Sequence, residues 1–172
     1  MLFRSEMEHM LDDYLAFARG EGGEESEDSD LGELVHDAAQ AAAKARAADE
    51  DRLSVTAPAH VRLSVKRAAL RRCLTNLVDN GLKAGRHVAV TLTQGARHAE
   101  IAVEDDGPGI PESRREEAFR PFHRLDQGRN LQSGGSGLGL AIARDIARAH
   151  GGDITLGKSP MGGLKATIRL PI

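Results

Sequence analysis

Late in the chain, the run Gly134-Gly135-Ser136-Gly137-Leu138-Gly139-Leu140 leads directly into an apolar stretch at helical spacing that ends near His150. Glycines feeding a helix leave its first N–H groups open and put the positive end of the helix dipole behind them. Such an end cradles anions, phosphate above all. The late position argues against a dinucleotide fold, whose glycine fingerprint belongs at the first turn of a βαβ unit, and no parallel strand is evident before this run. No Gly-Lys-Ser or Gly-Lys-Thr closes the run, so it does not read as a P-loop.

Of the 172 residues, 40% are hydrophobic, enough for one cored domain with an appendage. No apolar run approaches the roughly 20 residues that span a bilayer, and Met1 opens no secretory signal, so a cytoplasmic chain is expected. Lys and Arg total 23 against 26 Asp and Glu, a net charge of −3 that gives no electrostatic case for nucleic acid. With no Trp and one Tyr, a base-stacking platform is improbable. A single cysteine, Cys73, excludes a disulfide scaffold and a Cys-rich zinc site, and is expected as a small buried hydrophobe.

The chain divides into three. In residues 1–19, Phe3, Met7, Met10, Tyr14 and Phe17 alternate at spacings of four and three, a helical seam that Leu11, Leu15 and Ala18 widen. A lone helix cannot bury such a face, so it is expected either to dock on this chain or to belong to a larger bundle. Residues 20–30, with three glycines and six acidic side chains, read as a solvated linker. Asp30 with Glu33 resembles a capping box and opens a helix to about residue 48. Beyond it come short strands at Leu53–Thr56 and 61–63 and a helix from 66 to about 84. Strands at 88–93 and 99–103 form a hairpin, and after the helix from 138 to 150 a second hairpin pairs 153–156 with 165–170. Hairpins on one side and helices on the other predict a two-layer α+β sandwich with a mixed, mostly antiparallel sheet and helices on one face.

Two further clusters carry chemistry. Asn76, Asn80 and Lys83 fall at i, i+4 and i+7 of the predicted helix and share one face. Two amides and a cation there suit a hydrated Mg²⁺ and its phosphates, or simply a solvated helix edge. The segment Val103-Glu-Asp105-Asp106-Gly107-Pro108-Gly109-Ile110 follows a strand and turns on two glycines that let backbone approach a flat ligand. A carboxylate at the end of a buried strand must accept hydrogen bonds, and a purine amine would supply one; alone, the segment is also an ordinary Asp-Gly turn.

In this order and spacing, the clusters resemble the catalytic and ATP-binding domain of sensor histidine kinases, in the GHKL superfamily. NLVDNGLK is similar to that family's N box, VEDDGPGIP to its G1 box, AFRPFHRLD to its F box and GGSGLGL to its G2 box, over about residues 31–172. The wording is similar to that of osmosensing members. Residues 6–21, EMEHMLDDYLAFARGE, resemble the second helix of the dimerisation and histidine-phosphotransfer hairpin.

The resemblance implies ATP and Mg²⁺ as ligands, with Asn80 on the metal and Asn76 beside it. It implies Lys83 on the triphosphate, Asp105 on the adenine amine, and Gly107, Gly109 and Ile110 shaping the pocket. Phe119 and Phe122 would anchor a lid over about residues 120–136, and Arg124 would reach a phosphate. Gly135, Ser136, Gly137, Leu138 and Gly139 would cradle the phosphates. Implied partners are a second copy through the first helix, a phosphoacceptor-histidine helix and a response-regulator receiver domain, within a longer protein anchored in the inner membrane.

Two departures stand out. The family's N-A-x-[KR]-[YF] is altered at Gly81 and Ala84. None of the seven histidines sits in an H-E-x-R-T-P-L context; His9, in the first helix, matches the second helix of the hairpin rather than the acceptor. The expected function is therefore the ATP-binding half of a histidine autokinase, with an inert ATP-binding module as alternative. A gyrase or Hsp90 type ATPase is disfavoured because those relatives carry a Glu general base where this chain has Asn76.

Overall fold

The structure, a computed structural model, describes residues 23–123 and 137–172, and in the first segment Arg4, Met7, Glu8, Leu11, Asp12 and Leu15. Those six positions are helical, and Met7, Leu11 and Leu15 are exposed. Phe3, Met10, Tyr14 and Phe17 of the predicted seam, and His9, lie outside the described residues.

Helix α1 (Leu31–Ala45) starts where the sequence predicts, because Asp30 Oδ1 accepts from the N–H groups of Gly32 at 2.8 Å and Glu33 at 3.3 Å. The other oxygen of Asp30 accepts from His60 N–H at 2.8 Å, so one carboxylate caps the helix and fixes a distant loop.

The acidic stretch before it is a correction. Residues 20–30 read as a solvated linker, yet Glu27–Asp30 is a strand, β1, paired antiparallel with β3 (Arg62–Val65). Ser29 is buried, and Asp28 pairs with Arg62 at 2.6 Å. Glu24 caps helix α2 (Arg67–Ala84), accepting from Ala68 N–H at 2.6 Å and Ala69 N–H at 3.1 Å. Acidic side chains look solvated in a composition, but here two of them are spent on helix N-termini, where the dipole favours negative charge.

The main sheet has the order β2-β4-β5-β7-β6, from β2 (Leu53–Thr56), β4 (Val88–Gln94), β5 (His98–Asp105), β6 (Asp153–Lys158) and β7 (Leu164–Pro171). Only β2–β4 is parallel, so the expected mixed, mostly antiparallel sheet and both hairpins are present. Cross-strand register lines up Leu92, Ile101, Ile168 and Ile154 in one buried row. Burying each such side chain is worth about 1.5–3 kcal/mol. Residues 152–159 do satisfy the P-loop spacing G-x-x-x-x-G-K-[ST], but Asp153–Lys158 is β6 and feeds a hairpin rather than a helix. The motif match is a coincidence of strand sequence.

Helices α1, α2 and α4 (Gly139–Ala149) contribute Leu34, Val35, Leu70, Leu74, Ile142 and Ile146 to the same core. Small residues let α2 and α4 approach closely: Cys73, buried as expected, points its thiol at Ala143 O, 3.4 Å away. At the far end of α4, His150 Nδ1 lies 2.7 Å from Ile146 O while Nε2 accepts from Lys66 N–H at 3.0 Å. That pairing requires the Nδ1–H tautomer and ties the end of α4 to the start of α2.

Glu24→Ala should cost about 1 kcal/mol of stability, as loss of a helix cap does. In hydrogen exchange the amides of Ala68 and Ala69 should lose protection while those of α4 keep theirs.

Candidate functional site

The predicted face of α2 meets the first turn of α4. Asn76 Nδ2 reaches Gly139 O at 3.5 Å, and a Cβ placed on Gly139 would lie 3.5 Å from both polar atoms of Asn80. Two half-buried amides thus line the N-terminus of α4, whose N-cap residue Leu138 supplies no side-chain hydrogen bond to it. The Leu138 side chain is fully buried in the core, so only its main chain faces any ligand.

Lys83, third on that face, is paired with Asp79 at 2.9 Å, and the same carboxylate takes the Arg46 guanidinium from the end of α1. Burial pushes the Asp79 carboxyl up, but hydrogen bonds from Arg46 and Lys83 outweigh it and hold the group below its ordinary value. Lys83 therefore stands beside Asn80 already neutralised by a carboxylate that sequence reading passed over.

Asp105 ends β5 only 4% exposed. Its Oδ1 accepts from Gly107 N–H at 2.9 Å and Leu164 N–H at 3.2 Å. Burial raises its pKa despite those two bonds, so the group would gain from another donor. Three segments converge tightly on it. A Cβ on Gly163 would fall 2.1 Å from Asp105 Oδ1, and one on Gly107 would fall 2.6 Å from Ala84 O. Gly81 explains one departure from the family pattern, since a Cβ there would press Val88 Cγ2 at 2.9 Å. Gly109, at φ 71°, packs on Gly163, and half-buried Ile110 follows it. Gly163 and Leu164 escaped sequence reading; the Gly162-Gly163 pair in the closing hairpin was the available signal.

Next to it, Asp106 Oδ1 accepts from Arg86 N–H at 2.7 Å and His87 N–H at 2.9 Å, and Oδ2 lies 2.8 Å from His87 Nδ1. These bonds, the His87 amide first, bring its pKa down to about 2.

Phe119 is buried under the Arg144 guanidinium, 4.1 Å from the ring centroid. Phe122 is 54% exposed, and its N–H donates to Gly137 O at 3.1 Å. Both residues have positive φ, 61° and 71°, and a Cβ on Gly137 would lie 3.0 Å from Phe122 C. Arg124, Gly135 and Ser136 lie outside the described residues. Among the described residues, no group of three or more His, Cys, Asp or Glu side chains could hold a metal by itself. Amides beside a helix N-terminus suit a cation that arrives already bound to phosphate oxygens.

Residues 65–172 match the family model described as histidine kinase-, DNA gyrase B- and HSP90-like ATPase, more than half of the chain. The chain belongs to this family. The chain is 45% identical over 106 residues to sensor histidine kinase GtrS of Pseudomonas aeruginosa, covering 62% of this chain and 22% of that protein. It is 41% identical over 105 residues to sensor histidine kinase CpxA of Escherichia coli, covering 60% and 23%. Among solved structures, the ATP-binding domain of PrrB from Mycobacterium tuberculosis superposes with TM-score 0.68 at 28% identity, covering 86% of this chain and 97% of that one. The mycobacterial sensor histidine kinase MprB gives TM-score 0.70 at 29% identity, with 85% and 97% covered. The fold is thus that of a histidine-kinase ATP-binding domain, and the chain spans under a quarter of the length of GtrS and CpxA.

Gly163→Ala should destabilise the fold by about 1–3 kcal/mol, as overpacking does, because backbone as well as carboxylate must move. Urea melts of the two proteins measure it. Asp106 has its pKa depressed, so its contribution to stability is present above 3.8 and is lost as pH falls through about 2. Asp106→Asn should flatten that acid limb of the urea midpoint against pH. Asp105 has the opposite sign: its ionisation above a raised pKa costs stability.

Proposed function

We propose that this chain is the catalytic domain of a two-component sensor histidine kinase, holding Mg-ATP for γ-phosphoryl transfer to a histidine on a dimerisation helix. The observation that supports it most is the junction of Asn80 with the first turn of α4, an amide beside a helix N-terminus whose N-cap side chain, Leu138, makes no cap bond. Asp105 offers a buried, under-satisfied carboxylate for the adenine amine, in a pocket shaped by Gly107, Gly109 and Ile110. Asn80, supported by Asn76, would hold Mg²⁺ through its amide oxygen; bound there, the ion would neutralise charge on the phosphates. Lys83 would exchange part of its pairing with Asp79 for the triphosphate. The backbone of Gly135, Ser136, Gly137, Leu138 and Gly139 would cradle phosphate oxygens, with Arg124 adding charge and Phe119 and Phe122 holding one side.

The transfer itself asks mostly for positioning: an imidazole nitrogen forms the bond to the γ-phosphorus as the bond to ADP breaks, and ADP leaves with the electron pair. An ATPase reading lacks its base, since Asn76 is an amide already turned to Gly139. Residues 1–19 we read as the second helix of the dimerisation hairpin, mediating a homodimer. Receiver-domain phosphotransfer and attachment to the inner membrane belong to the longer protein. Among the described residues no helix is long and apolar enough to cross a membrane.

Calorimetry with ATP should show binding that needs Mg²⁺ and collapses in Asn80→Ala. Asp105→Asn should weaken it by roughly tenfold to a hundredfold, the cost of about 1–3 kcal/mol for one buried partner. Because the carboxylate accepts from an amine more strongly than the protonated acid does, wild-type affinity should start to fall with acid at a higher pH than an ordinary aspartate would give. The chain alone should form no phosphohistidine, whereas a longer form carrying the native acceptor helix should. Binding that survives in both variants would defeat the assignment, and label on His9 would show the first helix to be misread.

A further inference from the structure

The guanidinium of Arg144 makes three contacts that reach two elements besides its own. Its Nε donates to Asp153 Oδ1 at 2.9 Å on β6, and a terminal nitrogen donates to Glu116 Oε2 at 3.0 Å on the short helix α3 (Arg115–Ala118). Its face covers the Phe119 ring at 4.1 Å. The side chain is 16% exposed, whereas that of Glu116 is 83% exposed. A leucine at 144 would cover Phe119 without the desolvation that a buried cation costs. What the planar fork adds is orientation, because its donors fix angle as well as distance.

Arg144 lies five residues past Gly139, about 7–8 Å along the axis of α4 at the helical rise. A few residues beyond Phe119, Phe122 donates to Gly137 just before α4 begins. The turn carrying Phe119 and the start of α4 are thus joined twice, once by main chain at 122 and 137, once by the Arg144 side chain. Asn80 sits against that same start.

We propose that Arg144 is a positioning residue of the nucleotide site: by locking the Phe119 turn and β6 to α4, it sets where Gly137 and Gly139 stand relative to Asn80. It touches no ligand. The role rests on the reading that the start of α4 and Asn80 receive the triphosphate, while adenine is received separately at Asp105 on β5. Disturbing Arg144 should therefore weaken the phosphate end and spare the adenine end, a split that general loosening of the fold would not produce.

The test titrates the chain with Mg-ATP by calorimetry and with adenosine by ligand-observed NMR. Arg144→Gln should weaken Mg-ATP about tenfold and adenosine by less than about twofold, and Glu116→Gln should weaken Mg-ATP about threefold, all read as ratios of Kd. Arg144→Lys, which keeps the charge over Phe119, should recover part of the loss. Glu116→Gln should add nothing on top of Arg144→Gln, since each breaks the same link. Unchanged Mg-ATP affinity in Arg144→Gln, or an equal fall for both ligands, would overturn the proposal. If Arg144→Gln does not fold, Glu116→Gln decides it alone: Glu116 itself is exposed, and unaltered Mg-ATP affinity there would equally overturn the role. A wild-type chain that fails to bind Mg-ATP would instead defeat the functional reading on which the role stands.

Discussion

A single buried carboxylate organises this fold. Asp105 closes the middle strand of the sheet, and the main chain of two other segments is bent to reach it: Gly107 just beyond, and Leu164 from the last hairpin. The approach is so close that Gly107 and Gly163 have no room for a methyl group, and Gly81 on α2 has little. Burial nevertheless keeps the group's pKa raised. The fold therefore carries at its centre an acid whose charged form burial disfavours. Such a cost is tolerated where an incoming donor can offset it.

Helix α2 links that pocket to the phosphate end of the proposed site. Its start is held from two sides, by Glu24 on the amides of Ala68 and Ala69 and by His150 on that of Lys66. Its later turns carry Asn76 and Asn80 against α4, then Gly81 against Val88 and Asp105. Held at one end and packed along its length, α2 presents amides and pocket wall as one rigid piece.

The parts legible in the sequence were those written in local pattern. Helical spacing gave α1, α2 and α4 to within a few residues, and alternation gave both hairpins, because each depends only on neighbours along the chain. Among the described residues of the boxes, Asn76, Gly107, Gly109 and Gly139 lie where other segments approach closely. What escaped is long-range. Nothing in GEGGEESEDSD announces that Glu24 will cap a helix more than forty residues away, or that Glu27–Asp30 will pair with β3. Gly163 lies far from Asp105 in sequence and touches it only through the β5–β7 pairing. Lys83 reads as a free cation until Asp79 and Arg46 are seen around it. The P-loop spacing at residues 152–159 is the converse case, a pattern without the strand-to-helix turn that gives it meaning.

The docking of Glu24 and β1 alters the geometry of the whole appendage. Were the acidic stretch a free spacer from Leu15 to Leu31, sixteen residue steps could stretch to about 58 Å. With Glu24 fixed on α2, only nine steps remain, at most about 32 Å. The effect is exclusion. Surfaces more than about 32 Å from Glu24 are out of reach of Leu15 in the same chain, and if they are met at all, a second chain must meet them.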